Sequence, residues 1–316
     1  MPASDPEFIL AAVVRNYGPV EAISVERIPT PVPGPGEVLV RVKAAGVGPW
    51  DALIRSGKSV VPHLPPITLG SDLSGTVESV GGGVTDLRPG DPIFGVTNPS
   101  FEGAYAEAAI AQASMIARKP TSISDLQAAA VPVIGVTAMQ MLFERAHVAR
   151  GHRVLILGGA GNVGACAVQL ARDAGARVTA LVRANDVAVV RELGAEETMT
   201  SLGTPPPGGG FDVVIDTVGG DSARSSVRWL IPGGQFVSAV SDLDLASLDR
   251  LDIRAEFLLV EVTRARLEWI AERLLRGKLV VRVGEVLPLT DAARAHRMLA
   301  GQLPHAPGKI VLRISS

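Results

Sequence analysis

The chain has 316 residues, enough for two domains, with 47% hydrophobic and 20% charged residues, the proportions of a packed globular protein. Thirty basic side chains against thirty-two acidic ones give a net charge of -2, which argues against nucleic acid or an anionic membrane as partner. The opening MPASDPEFIL lacks the basic and apolar regions of a secretory leader, and no apolar run reaches roughly 18 residues, so a cytoplasmic location is expected.

The first third reads as β-rich. Apolar runs at 37–47, 72–81 and 104–111 alternate with Pro/Gly clusters at 29–37, 61–70 and 88–95, the punctuation of antiparallel strands in a small barrel. From Ser124 the texture becomes helical, with Pro132 and Gly135 expected to break the stretch 124–146 into two helices. From Arg153 strands and helices alternate: strands at RVLIL, ARVTALVR, FDVVIDTVGG and GGQFVSAV, a further one over 253–262, and helices between. Near-continuous apolar strands in such an alternation predict a doubly wound parallel sheet of the Rossmann type, covered on both faces. GTPPPGGG at 203–210 reads as a surface loop of that sheet. After a helix over 263–278, the tail returns to the character of the opening. The expected division is a first domain of 1–124 and 280–316 with a dinucleotide-binding domain, 125–279, inserted into it.

The strongest motif is Gly159-Ala160-Gly161-Asn162-Val163-Gly164, which fits G-x-G-x-x-G between a strand and a helix. There glycines allow a tight turn and let backbone N–H groups approach a pyrophosphate at a helix N-terminus. About twenty residues on, where an acidic residue would select NADH, the sequence has Arg183, which suits the 2′-phosphate of NADPH. Asp186 keeps NADH open. Further cofactor contacts are expected at the carboxyl ends of later strands, from Thr217, Val218 and Gly219 and from Ser238, Ala239 and Val240.

Taken together, PWDALIRSG, LGSDLSGTVESVGGGVTDLRPGDPIFG, EGAYAEAA, GVTAMQ, LGGAGNVGACAVQLARDAGA, FDVVIDTVGG and GKIVL resemble the medium-chain dehydrogenase/reductase superfamily, and most nearly its zinc-independent quinone oxidoreductase branch. The resemblance runs nearly end to end. It implies a GroES-like catalytic domain carrying an inserted Rossmann domain, NADPH as cofactor, a small electrophile such as a quinone or α,β-unsaturated carbonyl as substrate, and a homodimer paired through the edge strand near Ile253–Val262. In zinc-dependent relatives a cysteine ligand stands where this chain has Gly48, and a Gly-His-Glu motif where it has Gly70-Ser71-Asp72, so no zinc is expected. The single cysteine, Cys166, and the five dispersed histidines supply no alternative ligand set. The resemblance places Thr137 near the nicotinamide. It also marks departures: Gly48 and Leu53 stand where quinone reductases often carry asparagine and tyrosine. Trp50, Asp51 and Arg55 remain as candidate pocket residues, with Tyr105 read as scaffold and His63 as a loop residue. Besides a quinone or enone reductase, an enoyl-thioester reductase and a nicotinamide-binding protein with little turnover stay open.

Overall fold

The computed structural model describes residues 7–203, 209–241, 243–245, 248, 250 and 252–315. Positions 204–208 of the expected loop lie outside the described residues. The chain divides into two compact units, one of Met1–Val133, Val262–Leu275 and Val281–Ser316, the other of Ile134–Glu261 and Arg276–Val280. Among the described residues no helix is long and apolar enough to cross a membrane.

In the first unit the strand Glu37–Val47 is the hub. It pairs antiparallel with Lys309–Arg313, Asp72–Val80 and Ala108–Gln112. The sheet continues through Pro92–Val96 to Ile116–Arg118 on one side and to Val283–Pro288 on the other. A three-stranded sheet of Ile23–Pro29, Phe8–Val14 and Ile67–Thr68 completes the unit. Period-two burial shows in the hub strand, where Val38, Val40 and Val42 are wholly buried while Arg41 is exposed. Leu69, Leu73, Ile93 and Tyr105 join the same core; each fully buried aliphatic side chain contributes about 1.5–3 kcal/mol.

Two helices expected in the dinucleotide domain belong to this unit instead. Asp125–Ala130 begins with a capping box: Ser124 Oγ accepts from the Gln127 amide at 3.2 Å, and Gln127 Oε1 accepts from the Ser124 amide at 3.2 Å. Its Ala129 and Ala130 lie against Ala44 and Val311 of the barrel strands, and side chains this small let the helix sit close to the sheet. Arg264–Leu275 packs on Ile116–Arg118. It buries Leu267 and Ile270, and Arg264 donates to the Ile116 carbonyl at 3.1 Å. The division therefore falls inside the helix Pro132–Met139 rather than at Ser124. Pro132 opens that helix, where its missing N–H costs nothing. Gly135 does not interrupt it, and a π-helical turn, Gln140–Arg145, follows.

The second unit is a six-stranded parallel sheet. Its spatial order is Glu197–Met199, Arg177–Leu181, Arg153–Leu157, Phe211–Asp216, Leu230–Ser238, Arg254–Phe257. Numbered along the chain this is 3-2-1-4-5-6, the doubly wound order whose direction reverses beside Arg153–Leu157. Leu155, Ile156 and Leu157 are wholly buried, as central strands covered on both faces require. The strand expected over 253–262 is confined to Arg254–Phe257 at the sheet's outer edge.

Candidate functional site

A cavity of about 700 Å³ opens at the carboxyl ends of the parallel strands, beside the reversal point. Gly158, Ala160 and Gly161 line it from the first turn, Leu181 to Arg183 and Asp186 from the end of the second strand and the turn after it, and Thr217 and Val218 from just past the fourth. The turn is built by glycine. Gly158 has φ 76°, and a Cβ on Gly164 would stand 2.1 Å from the Gly158 carbonyl oxygen, so the helix Asn162–Asp173 can begin this close to the turn only with glycine there. Gly159 is similarly closed, 2.8 Å from the Ala180 Cβ. Gly161 differs. It caps the helix, and a Cβ on it would meet a single neighbour, the Gly158 oxygen at 3.2 Å. Its lack of a side chain serves the open cavity more than the packing, as approach of a pyrophosphate to backbone N–H groups requires. Asn162 and Val163 form the first turn of that helix, partly exposed.

Arg183 lines the cavity, 89% exposed, with Nε 2.9 Å from Asp186 Oδ2. One edge of its guanidinium is thus held, leaving the Nη groups as donors toward a phosphate. Thr217 reaches the cavity, though its hydroxyl donates to the Leu157 carbonyl at 2.7 Å. Ser238 does not reach it. It is wholly buried, donating to Asp216 Oδ2 at 2.7 Å and accepting from the Val240 amide at 3.0 Å. Gly219 is also buried, with φ 72° and its Cβ position closed by Val240. Ser238 and Gly219 brace the loop beside the cavity, and Ala239 and Val240 lie outside the lining of this cavity. The residue missed was Asp216, whose Oδ1 accepts from the amides of Val218 and Gly219 at 3.0 and 2.9 Å. Its signal was a carboxylate inside the apolar run FDVVID.

In the first unit, the helix Pro49–Arg55 carries the other candidates. Asp51 is wholly buried: Oδ2 accepts from the Gly48 amide at 2.8 Å and from the Tyr105 hydroxyl at 2.9 Å. Burial pushes its carboxyl up to about 7, against the pull of those two donors and Lys309. So enclosed, the carboxylate caps the helix Pro49–Arg55 and holds the Tyr105 hydroxyl. Arg55 is buried too, its guanidinium on the Gly18 carbonyl (3.2 Å) and His296 Nδ1 (2.9 Å). Burial, then the Arg55 charge, lowers His296 to about 3, so its ring is neutral. Trp50 is half-buried, its Nε1 donating to Ser71 Oγ at 3.0 Å. Lys309 Nζ lies 4.3 Å from the indole and 3.0 Å from Asp72 Oδ2, an ion pair with both partners buried. Asp72 Oδ1 accepts from the Val133 amide at 3.0 Å. In the second unit, Thr137 is buried on the helix Pro132–Met139.

Residues 34–121 match the family described as alcohol dehydrogenase GroES-like domain, and 186–312 that described as zinc-binding dehydrogenase. A quinone oxidoreductase from Coxiella burnetii superposes with a TM-score of 0.90 at 30% identity, covering 98% of this chain and 100% of that one. An alcohol dehydrogenase superfamily protein from Novosphingobium aromaticivorans does so with 0.88 at 32% identity, covering 97% and 100%. The chain belongs to the medium-chain dehydrogenase/reductase superfamily, in its quinone oxidoreductase branch. It is an oxidoreductase. A quinone oxidoreductase of Pongo abelii is 28% identical over 98% of this chain and 99% of its own length. The pikromycin polyketide synthase component PikAII of Streptomyces venezuelae is 32% identical over 72% of this chain, but the chain spans 6% of that protein.

Family membership leads one to expect a nicotinamide cofactor, and the glycine cradle fits one. The zinc positions are another matter. A Cβ on Gly48 would stand 2.3 Å from carbons of the Trp50 indole, so the place of a cysteine side chain is filled. Asp72 already faces an ammonium, and among the described residues no group of three or more His, Cys, Asp or Glu could hold a metal ion.

Proposed function

We propose that the chain is an NADPH-preferring, metal-free reductase of quinones or α,β-unsaturated carbonyls. The observation that carries this reading is the cavity at the strand ends, with Gly161 open toward it and Arg183 on its rim. The cofactor, when bound, supplies a hydride to the electron-poor carbon of the acceptor. The chain's own part begins with binding. Backbone N–H groups of the turn and the start of Asn162–Asp173 take the pyrophosphate, and the Nη groups of Arg183 take the ribose 2′-phosphate. Asp216 supports them by fixing the loop of Val218 and Gly219. In the first unit Lys309 neutralises Asp72 and Trp50 covers Gly48, so the positions that bind zinc in relatives supply no ligand set here. Hydride transfer then depends on positioning and hydrogen bonding of the acceptor rather than on a Lewis acid.

A second reading, reduction of an enoyl thioester, is favoured by the synthase relatives. A mycocerosic acid synthase-like polyketide synthase of Mycolicibacterium smegmatis is 30% identical over 96% of this chain, which spans 15% of that protein. The two readings share the cofactor chemistry and differ in the acceptor. We further propose a cytoplasmic homodimer joined through the sheet edge at Arg254–Phe257.

The test is oxidation of NADPH and NADH by purified protein against quinones, enones and enoyl thioesters, with and without a chelator. Turnover with NADPH that a chelator leaves unchanged is expected, and the best acceptor decides between the two readings. Loss of turnover on chelation would overturn the metal-free reading. Tight cofactor binding without turnover on any acceptor would favour a binding protein.

A further inference from the structure

The segment between the helix Pro49–Arg55 and the short strand Ile67–Thr68 runs over Lys58–Pro66 and exposes Val60 and Leu64 to solvent. In its middle His63 turns inward, its side chain only 2% exposed. Both ring nitrogens have partners. Nδ1 lies 2.7 Å from the carbonyl oxygen of Val61, and Nε2 lies 2.6 Å from that of Ser100. Both partners are acceptors only. A neutral imidazole carries one N–H and one lone pair, so it could satisfy one carbonyl while turning its lone pair on the other. The imidazolium carries two N–H groups and satisfies both.

The surroundings agree with a charge there. Glu102 Oε2 stands 3.9 Å from Nε2, and burial raises the Glu102 carboxyl while the His63 charge draws it down. Glu102 is the charged group set against the ring. Tyr17 is the titratable group set against the His63 backbone, donating through its hydroxyl to the His63 carbonyl. The turn bearing Ser100 and Glu102 is itself braced. Asn98 accepts from the Ser100 amide through Oδ1 and donates to the Glu102 carbonyl through Nδ2, each at 2.9 Å. Phe101 between them has φ 59°, a left-handed conformation that a bulky residue adopts only under constraint.

We propose that His63 is a proton-binding latch: as an imidazolium it ties the 59–66 segment to the 98–102 turn, and loss of its second proton frees that segment. Deprotonation leaves one of the two carbonyls facing a lone pair, so one of the two ties must open. The latch therefore closes at lower pH and opens at higher pH. Activity is not needed to see it, and the inference stands apart from the choice of substrate.

The test is a pH titration of the full chain labelled with ¹⁵N-histidine, read by long-range ¹H–¹⁵N spectra. His147 and His305 are exposed and serve as internal references. While 59–66 is closed, His63 is expected to show two protonated nitrogens, and a single protonated nitrogen once the segment opens. His63→Gln assigns the resonance; should that variant not fold, Glu102→Gln assigns it instead, by perturbing the ring whose Nε2 lies 3.9 Å from that carboxylate. Amide exchange of 59–66, corrected for its intrinsic pH dependence, is expected to quicken about tenfold or more once His63 deprotonates, the loss of one charge-assisted hydrogen bond. A His63 that is a single neutral tautomer while 59–66 stays closed would overturn the proposal. So would exchange in 59–66 that ignores its titration.

Discussion

The indole of Trp50 rests on Gly48 so closely that a Cβ at 48 would stand 2.3 Å from it, so the asparagine that the resemblance places there would require the indole to move. The indole N–H is already given to Ser71, so Trp50 replaces a polar group with an apolar wall. Behind it the buried polar groups oppose one another in pH. Asp51 titrates higher in the folded chain than unfolded, so its contribution is full below the usual carboxylate range and is lost as pH rises through about 7. His296 is displaced the other way: its contribution is present above about 6.5, the unfolded value, and is lost as pH falls toward about 3. Between about pH 4 and 6.5 the two slopes, each up to about 1.4 kcal/mol per pH unit, run in opposite senses. Urea unfolding at three pH values in that window should separate them. Relative to the parent, Asp51→Asn is expected to gain stability as pH rises and His296→Gln to lose it; parallel curves for all three proteins would refute the assignment. At the cofactor cavity, Arg183→Ala removes a charge-assisted pair to the 2′-phosphate, about 1.5 kcal/mol at so exposed a site. NADPH should bind roughly tenfold more weakly in a calorimetric titration, with NADH nearly unchanged. Asp186→Asn should shift preference the other way, and equal losses for both cofactors in Arg183→Ala would remove that residue from the ribose site.

At the level of elements, the glycine turn separates packing from binding. Gly164→Ala forces a Cβ to within 2.1 Å of a carbonyl oxygen, so the start of Asn162–Asp173 must shift; a loss of about 1–3 kcal/mol, as for overpacking, is expected in unfolding experiments. Gly161→Ala meets one backbone oxygen at 3.2 Å, which must give by a few tenths of an ångström, and should cost less stability than Gly164→Ala while weakening NADPH binding by about tenfold or more. If both substitutions reduced stability equally, Gly161 would be a packing glycine and the cradle argument would fall. This turn was legible because its signal is local: a strand, three spaced glycines and a helix adjoin in sequence. So were the central strands, which announce themselves as unbroken apolar runs. The Lys309–Asp72 pair was not, since its members are 237 residues apart and meet only across the hub strand. Gly46 makes that crossing possible, because a Cβ there would stand 3.0 Å from both Lys309 Cε and Asp72 Cβ. The helix Asp125–Ala130 was misassigned for a related reason. A capped alanine-rich run shows that a helix forms but not which sheet its small face will meet. Ser238 and Asp216 were likewise indistinguishable in sequence from residues that face a ligand, since a strand end can turn a side chain either outward or into the supporting loop.

For the molecule as a whole, the open question with physical weight is the edge of the parallel sheet. Arg254–Phe257 has a partner strand on one side, Leu230–Ser238, and among the described residues none on the other. Along and just after it Phe257 is 36% and Leu259 54% exposed. An edge strand with exposed apolar side chains beside it invites another strand even though Arg254 and Glu256 are charged, and pairing with a second copy about a twofold axis closes it, which is the physical case for a homodimer. The edge is short, so backbone hydrogen bonds alone would not hold two chains at micromolar concentration; the exposed side chains must contribute. Replacing Phe257 and Leu259 by glutamate places like charges on both sides of the axis. That should give a monomer by sedimentation while the far-ultraviolet spectrum and cofactor binding persist, because neither residue lines the cavity. A parent protein that sediments as a monomer at micromolar concentration would end the proposal. A parent dimer that the double substitution leaves intact would move the interface to another surface.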